Sequence, residues 1–246
     1  MEEKHRLSEN TKDENTTEVK AFFEKWDTYR KAMDNDYAGH LEAYKALGDF
    51  LKTNIDKPFA IFDLGCGDAD FMAQSLKNTL IQRYEAVDIS DNALGLARKN
   101  MEHLNCEKHF LPGDFINVIQ NHSGPFDVIW VGLSFHHLSL KQKEELLNKC
   151  SSLLSKNGYF IIFDPVLYDD ETLEGFRKRW WKTCQLYWNA LNHEEKLSIK
   201  EHVDNSDFPE SLAIYRELGK KYSFTEVESI FTDPTEIYQV IYFQKA

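Results

Sequence analysis

Cysteine is scarce and unpatterned in this sequence. Cys66, Cys106, Cys150 and Cys184 are widely spaced and include no Cys-x-x-Cys pair. Neither a zinc site nor a disulfide framework is expected, no metal ligands are assigned, and the thiols read as buried side chains in a reducing compartment. No apolar run approaches the roughly 18 residues needed to span a bilayer, so no membrane partner is expected. Residues 1 to 17 are polar and acidic and lack the apolar core of a secretory signal. They read as a charged flexible leader, and a cytoplasmic location is expected by default. Positive charge is also short: 29 Lys and Arg against 41 Asp and Glu leave a net charge of −12. Nucleic-acid binders need a basic stripe to neutralise phosphates, whereas Lys141, Lys143, Lys178, Arg179, Lys220 and Lys221 are scattered among acids. Nucleic acid is therefore not an expected partner.

The 246 residues are 42% hydrophobic and 28% charged, enough for a sizeable core and too apolar for a disordered chain. One domain over 18–246 is expected. Phe22, Trp26, Tyr29 and Met33 recur at helical spacing, and Tyr37, Leu41, Tyr44, Leu47 and Leu51 predict a second helix capped by Asn35-Asp36, so 18–55 reads as an amino-terminal helical cap. The period then changes. Apolar strands are predicted at Phe59–Leu64, Tyr84–Val87, near His109–Leu111, at Phe126–Val131 and at Tyr159–Phe163. Helices are predicted between them: one carrying Phe71, Met72, Leu76 and Leu80, one over Asp91–Met101 and one over Lys141–Leu154. Strands alternating with helices imply a parallel, right-handed, doubly wound α/β sheet. A helical lid insertion over 166–212 follows, with one long helix over 168–192 and Pro209 suited to a helix start. Phe224–Phe231 and Ile237–Phe243 alternate at period two and predict a terminal antiparallel pair.

Chemistry-bearing residues fall at the carboxyl ends of the strands, where such sheets collect ligands. Asp63-Leu-Gly65-Cys66-Gly67-Asp-Ala69 follows the first strand, and alternate glycines let the backbone approach a ligand closely. Asp88, closing the second strand, can accept both hydroxyls of a ribose. Asp114, in Gly113-Asp-Phe115, can accept from an adenine amino group. The fourth strand ends in Val131-Gly132-Leu-Ser-Phe-His136-His137-Leu138. Taken singly, each has a plainer reading: an ordinary strand-to-helix turn, a helix cap, a turn residue. The ordered set points to a nucleoside. A nicotinamide dehydrogenase is disfavoured because Asp70 stands where its third glycine belongs and would repel a pyrophosphate.

The series DLGCGDA, AVDIS, GDF and FDVIWVGLSFHHL resembles the class I S-adenosylmethionine-dependent methyltransferases over roughly residues 57–166. That resemblance implies a Rossmann-like seven-stranded sheet with a reversed terminal hairpin and S-adenosylmethionine as cofactor. It assigns Gly65, Cys66 and Gly67 to the methionine and ribose, Asp63 to the turn and the methionine ammonium, and Asp88 to the ribose hydroxyls. Asp114 falls to adenine, Ile89 and Phe115 to the faces of its ring, and Gly132 to the cofactor site. The sequence departs from the family's pattern at Ala69, where a third glycine is usual.

In-line displacement at a sulfonium needs alignment and a deprotonated acceptor more than it needs many catalytic groups. An Asn-Pro-Pro-Tyr signature and a Pro-Cys nucleophile are both missing, so DNA, protein-glutamine and pyrimidine-carbon acceptors are unsupported. A small-molecule acceptor at nitrogen or oxygen is expected. His137 is the candidate base or orienting group, with Tyr29 or Tyr37 as a lid partner, and its alternative is a capping or core histidine. Trp180, Trp181, Tyr187 and Trp188 can enclose the acceptor or simply form a core face. His40 can also face the cofactor. The alternatives are a protein or RNA methyltransferase and a noncatalytic partner subunit; no oligomeric state is assigned.

Overall fold

The computed structural model describes residues 26–246, in which two compact units are distinguished. The larger comprises Ala38–Phe176 and Phe208–Ala246 and contains every strand; the smaller comprises the described residues up to Tyr37 together with Arg177–Asp207. The leader, Phe22 and the side chain of Tyr29 lie outside the described residues. No helix among the described residues is long and apolar enough to cross a membrane.

In chain order the elements are α1 (Trp26–Asp34), α2 (His40–Asn54), β1 (Phe59–Leu64), α3 (Asp70–Ser75), β2 (Ile81–Asp88), α4 (Asp91–Asn100), β3 (Glu107–Pro112), α5 (Phe115–Gln120), β4 (Phe126–Gly132), a 3-10 turn (Phe135–His137), α6 (Leu140–Leu153), β5 (Leu154–Pro165), α7 (Leu173–Tyr187), α8 (His193–Ser206), α9 (Leu212–Lys221), β6 (Phe224–Thr232) and β7 (Tyr238–Lys245). The seven-stranded sheet runs β3-β2-β1-β4-β5-β7-β6. The first five strands of that order pair in parallel, while β7 is antiparallel to both β5 and β6. The expected α/β Rossmann-like sheet and its reversed hairpin are therefore present.

Helices cover both faces, so β1, β4 and Tyr159–Phe163 of β5 are near-continuous apolar runs rather than alternating ones. Their register sets the site: Leu64 pairs with Val87 and with Val131, and Gly132 pairs with Phe163. The carboxyl ends of four parallel strands are thus level, and the strand order reverses between β1 and β4, the switch point at which ligands bind in such sheets. One side chain layer beneath the sheet joins Phe135, Phe160, Tyr215, Ile241 and Phe243, all fully buried.

Several boundaries differ from the sequence reading. The helix after β1 ends at Ser75, and Leu80, placed on it by periodicity, is half exposed. α2 begins after Gly39, which holds a left-handed conformation without a side-chain cap, so Asn35-Asp36 does not cap it. The helix expected over 168–192 spans Leu173–Tyr187 only. α5 has no counterpart in the sequence reading because six residues are too few to show a period, and the helix expected to start at Pro209 is α9, which starts at a Ser211 cap.

Candidate active site

β1 delivers Asp63 and then the glycine turn. Gly65 and Cys66 both donate their N–H to the Val87 carbonyl, at 2.9 and 3.1 Å, which folds the turn over the end of β2. Gly65 has φ +75°, and a Cβ there would stand 2.9 Å from Ser134 Oγ and 3.9 Å from the Phe115 ring. The motifs after β1, β3 and β4 therefore meet at one point. Gly67 is also left-handed, and the position of its missing Cβ has no atom within 4 Å. Ala69 takes a left-handed φ of +53°, a conformation costing an alanine roughly 1 kcal/mol. The departure noted in the sequence is thus accommodated as backbone strain beside the ligand position.

Asp88 organises this turn. Its Oδ2 accepts from Gly67 N–H and its Oδ1 from Ser90 N–H, both at 2.8 Å, while its carbonyl accepts from Gly113 N–H at 2.9 Å. Burial pushes its carboxyl upward, and the backbone hydrogen bonds from Ser90 and Gly67 work against that. Asp63 is more deeply buried and accepts from the Tyr84 hydroxyl at 2.7 Å. Desolvation raises its pKa to about 7 even though the tyrosine favours the charged form. Burial, with Asp63 and Asp88 alongside, also keeps the Cys66 thiol protonated. Asp114 caps α5, its Oδ1 accepting from Ile116 N–H at 2.7 Å. Phe115 opens that helix and Ile89 is half buried after β2.

At the ends of β4 and β5 the surroundings turn aromatic. Tyr44 Oη would lie 2.9 Å from a Cβ on Gly132, so only glycine admits that hydroxyl. The rings of His40, Tyr44 and Phe71 are within 10 to 27° of parallel, with centroids 5.2 to 6.5 Å apart. Phe163 meets His40 and Tyr44 edge-on.

His136 and His137 sit in the 3-10 turn, both buried, with ring centroids 4.0 Å apart. His136 Nδ1 lies 2.7 Å from Asp164 Oδ1 at the end of β5. Sequence reasoning gave His136 no role, although an acid ending one parallel strand beside a histidine that follows the next was a usable signal. The turn is anchored from below. His136 O accepts from Phe208 N–H at 2.8 Å, and the wholly buried Lys143 donates to the Phe208 carbonyl and lies 3.6 Å from Glu210.

Tyr37 belongs to the smaller unit. Its hydroxyl accepts from Ala190 N–H at 2.6 Å and its ring stacks on Trp188 at 5.0 Å. Trp180 and Trp188 are buried with their rings perpendicular, while Tyr187 is 61% exposed.

These residues fit a sulfonium nucleoside: an open position above Gly67, a carboxylate beneath it at the end of β2, and a second acid ending the neighbouring strand. Comparison with known proteins agrees. A family model described as a methyltransferase domain matches residues 61–158. Carboxy-S-adenosyl-L-methionine synthase of Helicobacter pylori is 29% identical over 188 residues, covering 74% of each chain. The solved structure of the plantazolicin methyltransferase BpumL with S-adenosylhomocysteine is 14% identical, with a TM-score of 0.63 over 89% of this chain and 88% of that one. An O-methyltransferase family protein of Burkholderia thailandensis is 15% identical with a TM-score of 0.62, and the chain spans 60% of its length. At such identities the two structures speak for the fold, while the matched domain and the Helicobacter relative speak for the chemistry. Residues 61–158 therefore match a methyltransferase domain, carried on the sheet of the class I S-adenosylmethionine-dependent methyltransferase fold.

Proposed function

We propose that the protein methylates a nitrogen or oxygen atom of a small-molecule acceptor. The carrying observation is the aromatic cluster near the end of β4, where His40, Tyr44 and Phe71 stack on one another and the Tyr44 hydroxyl reaches Gly132. Flat, parallel rings suit an aromatic or cationic group. An RNA or protein acceptor would call instead for an open, basic cleft, which a net charge of −12 disfavours. The name of the Helicobacter relative, itself that of an enzyme with a small-molecule product, points the same way.

When bound, S-adenosylmethionine supplies a methyl group already activated by the positive sulfur. The tasks left to this chain are holding and aligning. Asp88 would exchange its Gly67 and Ser90 contacts for the ribose hydroxyls, Asp63 would face the methionine ammonium, and Asp114 would use Oδ2 for adenine while Oδ1 keeps its cap. Ile89 and Phe115 would flank the base, and His137 or its neighbour would orient the acceptor.

The test is transfer from tritiated S-adenosylmethionine into three fractions of a cell extract: protein-free metabolites, total RNA and total protein. Label is expected in the metabolite fraction. Label confined to RNA or protein would refute the proposed acceptor class.

A further inference from the structure

We propose that Asp164, Gln239 and Tyr215 hold an ammonium group carried by the acceptor, separate from the atom that is methylated; this rests on the small-molecule reading above. Asp164 stands at the end of β5 and is fully buried. One carboxylate oxygen, Oδ1, meets His136 Nδ1 at 2.7 Å, whereas Oδ2 is buried with no hydrogen-bond partner. Register supplies the second group. Asp164 pairs with Gln239 across the antiparallel β5–β7 ladder, and opposed residues of such a pair project from the same face. Gln239 Oε1 is likewise buried without a hydrogen bond. A carboxylate and an amide carbonyl can only accept, and no donor among the described residues answers either oxygen.

The third group comes from α9. Phe163 and Asp164 are successive, so their side chains leave opposite faces of the sheet. Phe163 joins His40 and Tyr44, while Asp164 shares the face of Ile162, Ile241 and Tyr215. Tyr215 is fully buried, and its hydroxyl lies beside the Glu210 backbone without a well-formed hydrogen bond. Burial first, and the charges of Asp164 and Glu210 after it, keep that hydroxyl protonated. Lys143, the wholly buried lysine of this region, is committed to the Phe208 carbonyl and to Glu210. One carboxylate, one amide and one phenol oxygen match the three N–H donors of a primary ammonium. Water offers two hydrogens and no charge; an ammonium offers three and the countercharge that a buried carboxylate calls for.

The place fits an anchor. Phe163, the residue before Asp164, pairs with Gly132 across β4 and β5, so the carboxylate stands one strand away from the end of β4. An ammonium has no lone pair and cannot attack a sulfonium methyl. The held nitrogen is therefore a handle, and a second nitrogen or oxygen of the same molecule takes the methyl group. Fixing one end of the acceptor in this way restricts how the other end meets the donor. The three residues determine specificity, and none of them touches the reacting atoms.

Two measurements test this separately. Thermal melting with S-adenosylhomocysteine, in methylammonium chloride and in sodium chloride at equal ionic strength, needs no acceptor. Stabilisation that saturates below about 0.2 M is expected in methylammonium alone, and Asp164→Asn should abolish it. Melting that responds equally to the two salts would overturn the assignment and leave the oxygens to an internal water. In the tritium assay, Asp164→Asn should need at least about tenfold more metabolite extract for half-maximal rate, with the maximal rate within about threefold and S-adenosylhomocysteine affinity within about twofold. Gln239→Leu should raise the half-saturating amount by about threefold, and it carries both comparisons if Asp164→Asn does not fold. An unchanged half-saturating amount in the folded variants would overturn the assignment. Should the wild-type protein label no metabolite, the acceptor class falls while the methylammonium melts still decide this site.

Discussion

Proton-linked cofactor binding at Asp63 is the sharpest consequence of the site. Desolvation holds this carboxyl protonated up to about pH 7, against an ordinary 3.8. An amino-acid ammonium brought to it would favour the ionised form, so binding must expel the proton wherever it is still present. With a pKa near 7, roughly a tenth of the carboxyls are ionised at about pH 6 and roughly nine tenths at about pH 8, so apparent affinity should rise about tenfold, or ~1.4 kcal/mol. Calorimetry with S-adenosylhomocysteine, whose ammonium stays charged across that range, would measure it. Repetition in buffers of different ionisation enthalpy should show close to one proton released at the acid end and little at the basic end. Asp88 is also shifted upward, so Asp63→Asn is the control and should flatten the profile. Equal dissociation constants at both pH values, or a slope that survives in Asp63→Asn, would refute the reasoning. The sign for the unbound fold is opposite. The folded protein keeps this proton to about 7 while the unfolded chain releases it near 3.8, so raising pH across that window removes stability.

Other expectations follow from single contacts. Asp88→Ala removes the ribose acceptor and should weaken S-adenosylhomocysteine binding by about 100-fold, or ~3 kcal/mol, read by calorimetry; a change under about threefold would contradict its role. Gly65→Ala forces a Cβ to 2.9 Å from Ser134 Oγ at a φ of +75°; thermal melting should drop and affinity should fall at least about tenfold. Asp233→Ala leaves the Thr235, Ile237 and Tyr238 N–H groups without their carboxylate at the β6–β7 turn; urea unfolding should show a loss of about 3 kcal/mol with binding per folded molecule unchanged.

The sheet was readable because parallel strands covered on both faces are short apolar runs ending in turn residues, as Phe59–Leu64 before Gly65 shows. The candidate cofactor residues fall where the strands stop, and strand ends are marked in sequence. Leu80 misled because an apolar residue at helical spacing need not be on the helix; here it precedes β2 and half faces solvent. Ala69 carries no sign of its left-handed backbone, which the turn imposes from outside. The contact between His136 and Asp164 could not be read from the neighbours of His136 in sequence. It depends on Asp164, 28 residues beyond His136, and on register between β4 and β5.

β7 occupies an interior place in the sheet, yet it follows β6 in sequence. During synthesis, β5 therefore exposes a bare row of peptide groups until residues 238–245 leave the ribosome, and β6 waits unpaired for the same arrival. The parallel half of the sheet can assemble early, but its completion is the last event available to the described chain. Substitutions in Tyr238–Lys245 should thus cost soluble yield out of proportion to their effect on the finished molecule, because an open edge of that length pairs readily with a neighbour's.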